Sequence, residues 1–107
     1  MSHIIVLVTT ATRDEAEKIT PRLLEQKLIA CANIIGPVSS VFWWKGKINR
    51  ESEFLVLMKT RLDLFEKVAK TIKQMHSYEE PEIIAVPITK GEQSYLNWLN
   101  SSLEKGE

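Results

Sequence analysis

The stretch Val38 to Thr60, V-S-S-V-F-W-W-K-G-K-I-N-R-E-S-E-F-L-V-L-M-K-T, decides how this chain folds. Its halves are rich in β-branched and aromatic residues, and they are joined by Lys45-Gly46, where the glycine can take the positive φ of a tight turn. The pattern predicts a β-hairpin; Asn49-Arg50 is the other place where the chain could reverse, with shorter arms. An arm running unbroken from Lys47 to Thr60 is roughly 45 Å long at ~3.3 Å per residue. A globule of this chain length is about 35 Å across, so such an arm should overhang its own subunit.

Working outward, His3 to Thr9 is a short apolar run expected to form a buried strand. Thr12-Arg-Asp-Glu15 has the capping-box layout, and Ala16, Ile19, Leu23 and Leu24 continue it as the inward stripe of a helix over Arg13 to Lys27. Pro21 lies inside that helix and should kink it near Glu17. Ile29 to Ile35 reads as a second apolar strand, broken or bulged at Gly36-Pro37 before the hairpin's first arm. After the hairpin, Phe65, Val68, Ala69 and Ile72 mark a helix over Arg61 to His76, with Thr60 as its N-cap. Ser77 to Pro81 is a loop, and Glu82 to Ile88 a strand whose Pro87 suits a sheet edge. A last helix covers about Glu92 to Leu103, with Tyr95, Leu96, Leu99 and Leu103 inward. The order β-α-β-β-α-β with an added C-terminal helix is that of an α+β ferredoxin-like sandwich with a long β2–β3 hairpin, a single domain over residues 1–107.

Fourteen basic and fourteen acidic side chains cancel, so the electrostatic footprint of a nucleic-acid binder is missing. A lone cysteine excludes an internal disulfide, no apolar run approaches the ~20 residues of a membrane span, and the N-terminus lacks a signal-peptide layout. A soluble, cytoplasmic protein is expected, with neither nucleic acid nor membrane as partner. Neither a phosphate-binding loop nor C-x-x-C or H-x-x-x-H occurs. With no nucleophile and base in one motif, no catalysis is expected.

Individual residues carry competing readings. Cys31, mid-strand among apolar neighbours, more often acts as a small buried hydrophobe than as a ligand. His76 closes a helix, where capping competes with metal binding; Met75 beside it offers a soft thioether but is more often core filler. Trp43 and Trp44, adjacent on a strand, face opposite sides at the end of an arm and point to contact beyond the subunit, the competing reading being two core aromatics. Lys59, Glu53, Glu80 and Glu82 could form a polar cluster at strand ends, although solvated ion pairs are the commoner outcome for such residues. Ile4 to Val8, Phe54 to Met58 and Ile83 to Val86 are apolar at both parities, whereas a sheet with one wet face should alternate. An obligate homo-oligomer is expected, since another subunit must cover the second face.

The segments A-C-A-N-I-I (Ala30 to Ile35), W-W-K-G-K-I (Trp43 to Ile48), L-M-K-T (Leu57 to Thr60), H-S-Y-E-E-P-E-I-I (His76 to Ile84) and Y-L-N-W-L (Tyr95 to Leu99), in that order and spacing, resemble the CutA divalent-cation-tolerance family. The resemblance covers nearly the whole chain. It implies a ferredoxin-like homotrimer, cytoplasmic in prokaryotes, associated with tolerance of copper and other divalent metals and similar in architecture to PII-type signalling proteins. By motif, Cys31 and His76 fall on the family's strand-two cysteine and its loop histidine, which makes them the implied metal ligands. Trp44, Lys59, Tyr78 and Glu82 fall on other characteristic positions. Ser77 replaces the usual proline, Met75 stands where some members place a histidine, and Thr9 or Thr10 where some carry a cysteine. The expectation is therefore weak binding of Cu²⁺ or another divalent metal, led by His76 because Cys31 should be too buried, with no required cofactor. The alternative is a PII-like trimer that binds a small anionic metabolite between subunits.

Overall fold

Strand β1 (His3–Thr10) lies at the centre of the molecule because its even-numbered side chains Ile4, Val6 and Val8 are apolar and find cover on one face of the sheet. The computed structural model describes residues 2–105 and comprises β1, α1 (Arg13–Glu25), β2 (Cys31–Trp44), β3 (Lys47–Arg61), a 3₁₀ turn (Leu62–Leu64), α2 (Phe65–Met75), β4 (Ile83–Ile88) and α3 (Gln93–Ser102). The strands form one antiparallel sheet in the order β2-β3-β1-β4, the ferredoxin-like arrangement, with β4 and its Pro87 on an edge. Val56, Met58 and Thr60 stand opposite Val8, Val6 and Ile4, and this face packs with Ala16, Ile19 and Leu23 of α1 and Val68 and Ile72 of α2 into the core.

The helix ends differ from the sequence expectation for local reasons. Thr12 caps α1 as expected, its hydroxyl accepting the Glu15 N–H at 3.1 Å while the Glu15 carboxylate accepts the Ala11 N–H at 3.2 Å. Pro21 lies within α1 and does not end it. The helix stops at Glu25 rather than Lys27: Lys27 takes φ 57°, and the Leu28 and Lys27 N–H groups close back on the Leu23 and Leu24 carbonyls. That is a Schellman stop with lysine where glycine is usual, so sequence gave no warning. Leu24, expected inward, is exposed, and Thr20 takes the buried position.

Leu28, Ile29 and Ala30 are buried outside the ladder, so β2 begins at Cys31, not Ile29. Nor does Thr60 cap a helix. It stays in β3 opposite Ile4, fully buried, and its hydroxyl donates to the Leu28 carbonyl at 2.6 Å; the ladder runs on to Arg61, and α2 starts only at Phe65. β1 offers two more rungs at this point, and paired backbone outweighs an early helix start.

The hairpin turns at Lys45-Gly46, with φ 51° and 79°, which settles the alternative at Asn49-Arg50. Both central residues have the positive φ that matches a two-residue turn to strand twist, and the Asn49 amide donates to the Trp44 and Lys47 carbonyls. The register slips between Ile35 and Val38 around a cis Gly36-Pro37 bond, where the expected bulge falls. The molecule is 44 Å along its longest axis but 26 and 21 Å across. The arm does overhang.

On the second sheet face, α3 crosses one end only. The Tyr95 hydroxyl lies 3.8 Å from Cys31 Sγ and Asn100 Oδ1 lies 3.0 Å from His3 Nε2, while Leu96, Leu99 and Leu103 turn inward. Tyr95 itself, expected to be buried, is exposed. Beyond α3, Ile5, Leu7, Leu55 and Leu57 are half-buried, and Ile35, Ile84 and Val86 are 44, 50 and 40% exposed.

Candidate functional site

The sheet separates the sequence-predicted residues into two groups. At one end, Cys31 and Lys59 are cross-strand partners on the second face. The Lys59 ammonium donates to Asn33 Oδ1 at 3.1 Å, and Cys31 is half-buried rather than sealed in. Burial pushes the Tyr95 hydroxyl's pKa up, and the neighbouring Cys31 adds to this while Lys59 opposes it.

His76, Tyr78, Glu82 and Trp44 lie at the other end. The His76 side chain is fully buried at the end of α2. Its Nε2–H donates to the Thr9 carbonyl at 2.7 Å, and its Nδ1 accepts the Tyr78 N–H at 3.0 Å. Both ring nitrogens are therefore engaged, which fixes the tautomer and makes the imidazole a clasp between β1 and the 76–82 loop. The expected exposures are thus reversed: Cys31 is the more accessible and His76 the enclosed one. Met75 is exposed rather than core filler.

Glu15 extends the clasp. Besides its cap bond it accepts the Ser77 N–H at 2.7 Å through Oε2, which lies 3.6 Å from His76 Nδ1. Burial raises its pKa, but the Ser77 hydrogen bonds, the Ala11 N–H and the His76 ring together outweigh burial and hold the carboxyl below its ordinary value. This second use of a capping-box glutamate was missed from sequence, because the box explains the residue completely.

Tyr78 carries the clasp to the hairpin. Its hydroxyl donates to Glu53 Oε2 at 2.6 Å, its ring sits 4.8 Å from the His76 ring, and burial followed by the Glu53 carboxylate pushes its pKa well up. Glu53 thus belongs with Tyr78 at the hairpin's base, while Lys59 lies six residues along β3 with Asn33, so Lys59 does not join Glu53, Glu80 and Glu82 in one cluster. Glu82 is exposed immediately before β4.

Between the 77–82 loop and the hairpin lies a cleft of about 830 Å³. Its lining includes Glu51, Glu53, Glu79, Glu80 and Glu82, with Lys45 as the only lysine or arginine among the described residues. The register places Ser40 opposite Glu51, Phe42 opposite Asn49 and Trp44 opposite Lys47, so Phe42 and Trp44 share a face with both hairpin glutamates. Trp43 points the other way and is 71% exposed. Among the described residues, no three His, Cys, Asp or Glu side chains converge as a metal-ligand set, and no helix is long and apolar enough to cross a membrane.

A family model for CutA1 divalent ion tolerance proteins matches residues 4–102. The Archaeoglobus fulgidus divalent-cation tolerance protein CutA is 44% identical over 102 residues, covering 95% of this chain and 99% of that one. Its solved structure, described as periplasmic, superposes with a TM-score of 0.92. The crystal structure of CutA1 from Oryza sativa superposes at 0.95 with 35% identity, covering 99% of this chain and 97% of that one. A chloroplastic CutA of Arabidopsis thaliana is 40% identical over 99 residues, which is 92% of this chain but 54% of the plant protein.

Proposed function

Because the chain belongs to the CutA1 divalent ion tolerance family, we propose that it works in divalent-cation tolerance as a homotrimer that binds copper or another divalent metal weakly. Assembly is supported by the second sheet face, where Ile35, Ile84 and Val86 lie open on a sheet apolar at both parities. A neighbouring subunit covers that face, and the overhanging hairpin gives it an edge to pair with.

The observation that carries the weak-metal reading is the engagement of His76. As a ligand it must release either the Thr9 carbonyl or the Tyr78 N–H, and each costs about 1 kcal/mol or more. Cys31 offers a free thiol at the other end of the sheet, so the two donors do not chelate within one chain. The free thiol also fits the reducing cytoplasm proposed as its setting. Charge favours a cation over the PII-like alternative, since five glutamates against one lysine line the cleft where an anion would have to sit.

Binding without catalysis is part of the proposal: Cys31 meets a tyrosine hydroxyl and no activating base. Copper titration by calorimetry on wild type, Cys31→Ala and His76→Gln tests the reading. A micromolar or weaker Kd that weakens further in His76→Gln is expected; equal affinity in all three proteins removes both ligands from the assignment.

A further inference from the structure

Glu53 is a buried carboxylate with an incomplete set of partners. The residue is only 4% exposed, yet its one hydrogen bond comes from the Tyr78 hydroxyl to Oε2. Among the described residues no donor reaches its other oxygen, and no lysine, arginine or histidine pairs with it. The cleft it lines also holds Glu51, Glu79, Glu80 and Glu82. A neighbouring subunit that covers the second sheet face and the hairpin takes water away from these carboxylates. Desolvated charge of one sign is costly unless the covering surface brings the other sign, so the neighbour has to supply a cation.

The hairpin carries one. Val41 stands opposite Arg50 and Trp43 opposite Ile48, so these four share one face of the hairpin, while Phe42, Trp44 and Glu51 share the other. Val41, Trp43 and Ile48 are 53, 71 and 60% exposed, an apolar cluster of the kind that marks a contact. Arg50 is exposed among them, and no ion pair or hydrogen bond engages its guanidinium among the described residues. Of the hairpin's other cations, Lys45 already sits 5.8 Å from the Trp44 ring centroid and Lys47 shares a face with Trp44. Arg50 stands on the side of its own hairpin away from Glu51, so the cleft it can enter is that of another copy. The overhang of the 44 Å long subunit carries it there. Such a contact joins one surface of a subunit to a different surface of the next, the head-to-tail kind that closes into a ring.

We infer that the cleft is a socket between subunits: the hairpin of the next copy enters it, setting the Arg50 guanidinium on the free oxygen of Glu53 and Val41, Trp43 and Ile48 against Phe42 and Trp44. Arginine suits the position because its planar, weakly hydrated fork pairs with a desolvated carboxylate better than a strongly hydrated ammonium does. The inference rests on the homotrimer reading but not on the metal reading, since it uses neither His76 nor Cys31.

Light scattering across a dilution series gives the assembly constants of wild type, Arg50→Ala, Glu53→Gln and the double variant, with circular dichroism as the check on folding. Glutamine at 53 keeps an acceptor for the Tyr78 hydroxyl, and Arg50 is exposed in the single chain, so both substitutions should leave the subunit folded. Expected is at least tenfold weaker assembly in each single variant and no further loss in the double, because two groups that act as a pair are lost together. Arg50→Glu, which sets a carboxylate against carboxylates, should weaken assembly more than Arg50→Ala does, and it decides the matter alone if Glu53→Gln does not fold. A wild-type trimer that Arg50→Ala and Arg50→Glu leave equally tight overturns the inference while the homotrimer stands. Losses that simply add in the double variant do the same. A monomeric wild type overturns both readings.

Discussion

Leu55→Lys and Val56→Lys are neighbouring substitutions on opposite faces of β3, and they should fail in different ways. Val56 is 2% exposed and packs in the core opposite Val8 and Ile34. Its replacement forfeits ~1.5–3 kcal/mol of apolar burial and adds several more for an unpaired ammonium forced into, or out of, a close-packed interior. Against a total stability of about 5–15 kcal/mol, that should unfold the subunit. Leu55 is only half-buried, opposite Thr9 and the exposed Ile35, so in an isolated subunit the lysine can reach water at little cost. In the proposed trimer the same position would be covered, and each subunit would lose ~1.5–3 kcal/mol, or roughly 5–9 kcal/mol over three copies. At 1.4 kcal/mol per tenfold, the trimer dissociation constant should rise by roughly 10³–10⁶. Light scattering across a dilution series reads assembly, and far-UV circular dichroism reads folding. The expected outcome is a folded, dissociating Leu55→Lys and an unfolded Val56→Lys. A monomeric wild type, or a Leu55→Lys that assembles as tightly as wild type, would refute the covered-face argument.

Thr12→Ala removes the acceptor of the Glu15 N–H at the start of α1 and should cost about 1 kcal/mol, read as a lower urea midpoint with an unchanged m-value. Glu15 titrates below its ordinary 4.5 in the folded state, so its contribution is present at neutral pH and is lost as pH falls below 4.5. Glu15→Gln should therefore be less stable than wild type at pH 7, with the gap closing in acid; a gap independent of pH contradicts the assignment. Tyr78→Phe leaves Glu53 without its hydroxyl donor and should destabilise by about 1–3 kcal/mol in urea melts. Gly36→Ala drives a methyl group into the Phe54 ring at the β2 bulge, and a loss of about 1–3 kcal/mol is expected, with a tolerated alanine arguing that the ring can move.

The elements of this fold were legible because each is written in short-range chemistry. Lys45-Gly46 between two β-rich arms, the Thr12/Glu15 box, the stripe of Phe65, Val68 and Ile72, and Pro87 on a strand better suited to an edge or an end than to a centre all correspond to features of the structure. The doubly apolar strands likewise announced a second face in need of cover. Boundaries went astray where a tertiary contact overrode local preference. Thr60 had a carbonyl of Leu28 to bond across space and a ladder to continue, and Lys27 accepted a left-handed conformation because two closing hydrogen bonds hold it there. The site was the least legible part. Sequence named His76, Tyr78, Glu82, Trp44, Cys31 and Lys59, but not that β2 and β3 pair the last two at the opposite end of the sheet from the others. Nor could it foresee that Thr9, Glu15 and Glu53, from three separate elements, would engage His76 and Tyr78. Periodicity tells which way a side chain points from its own backbone. Which partners it meets depends on strand order and register, and those are fixed only when the whole sheet closes.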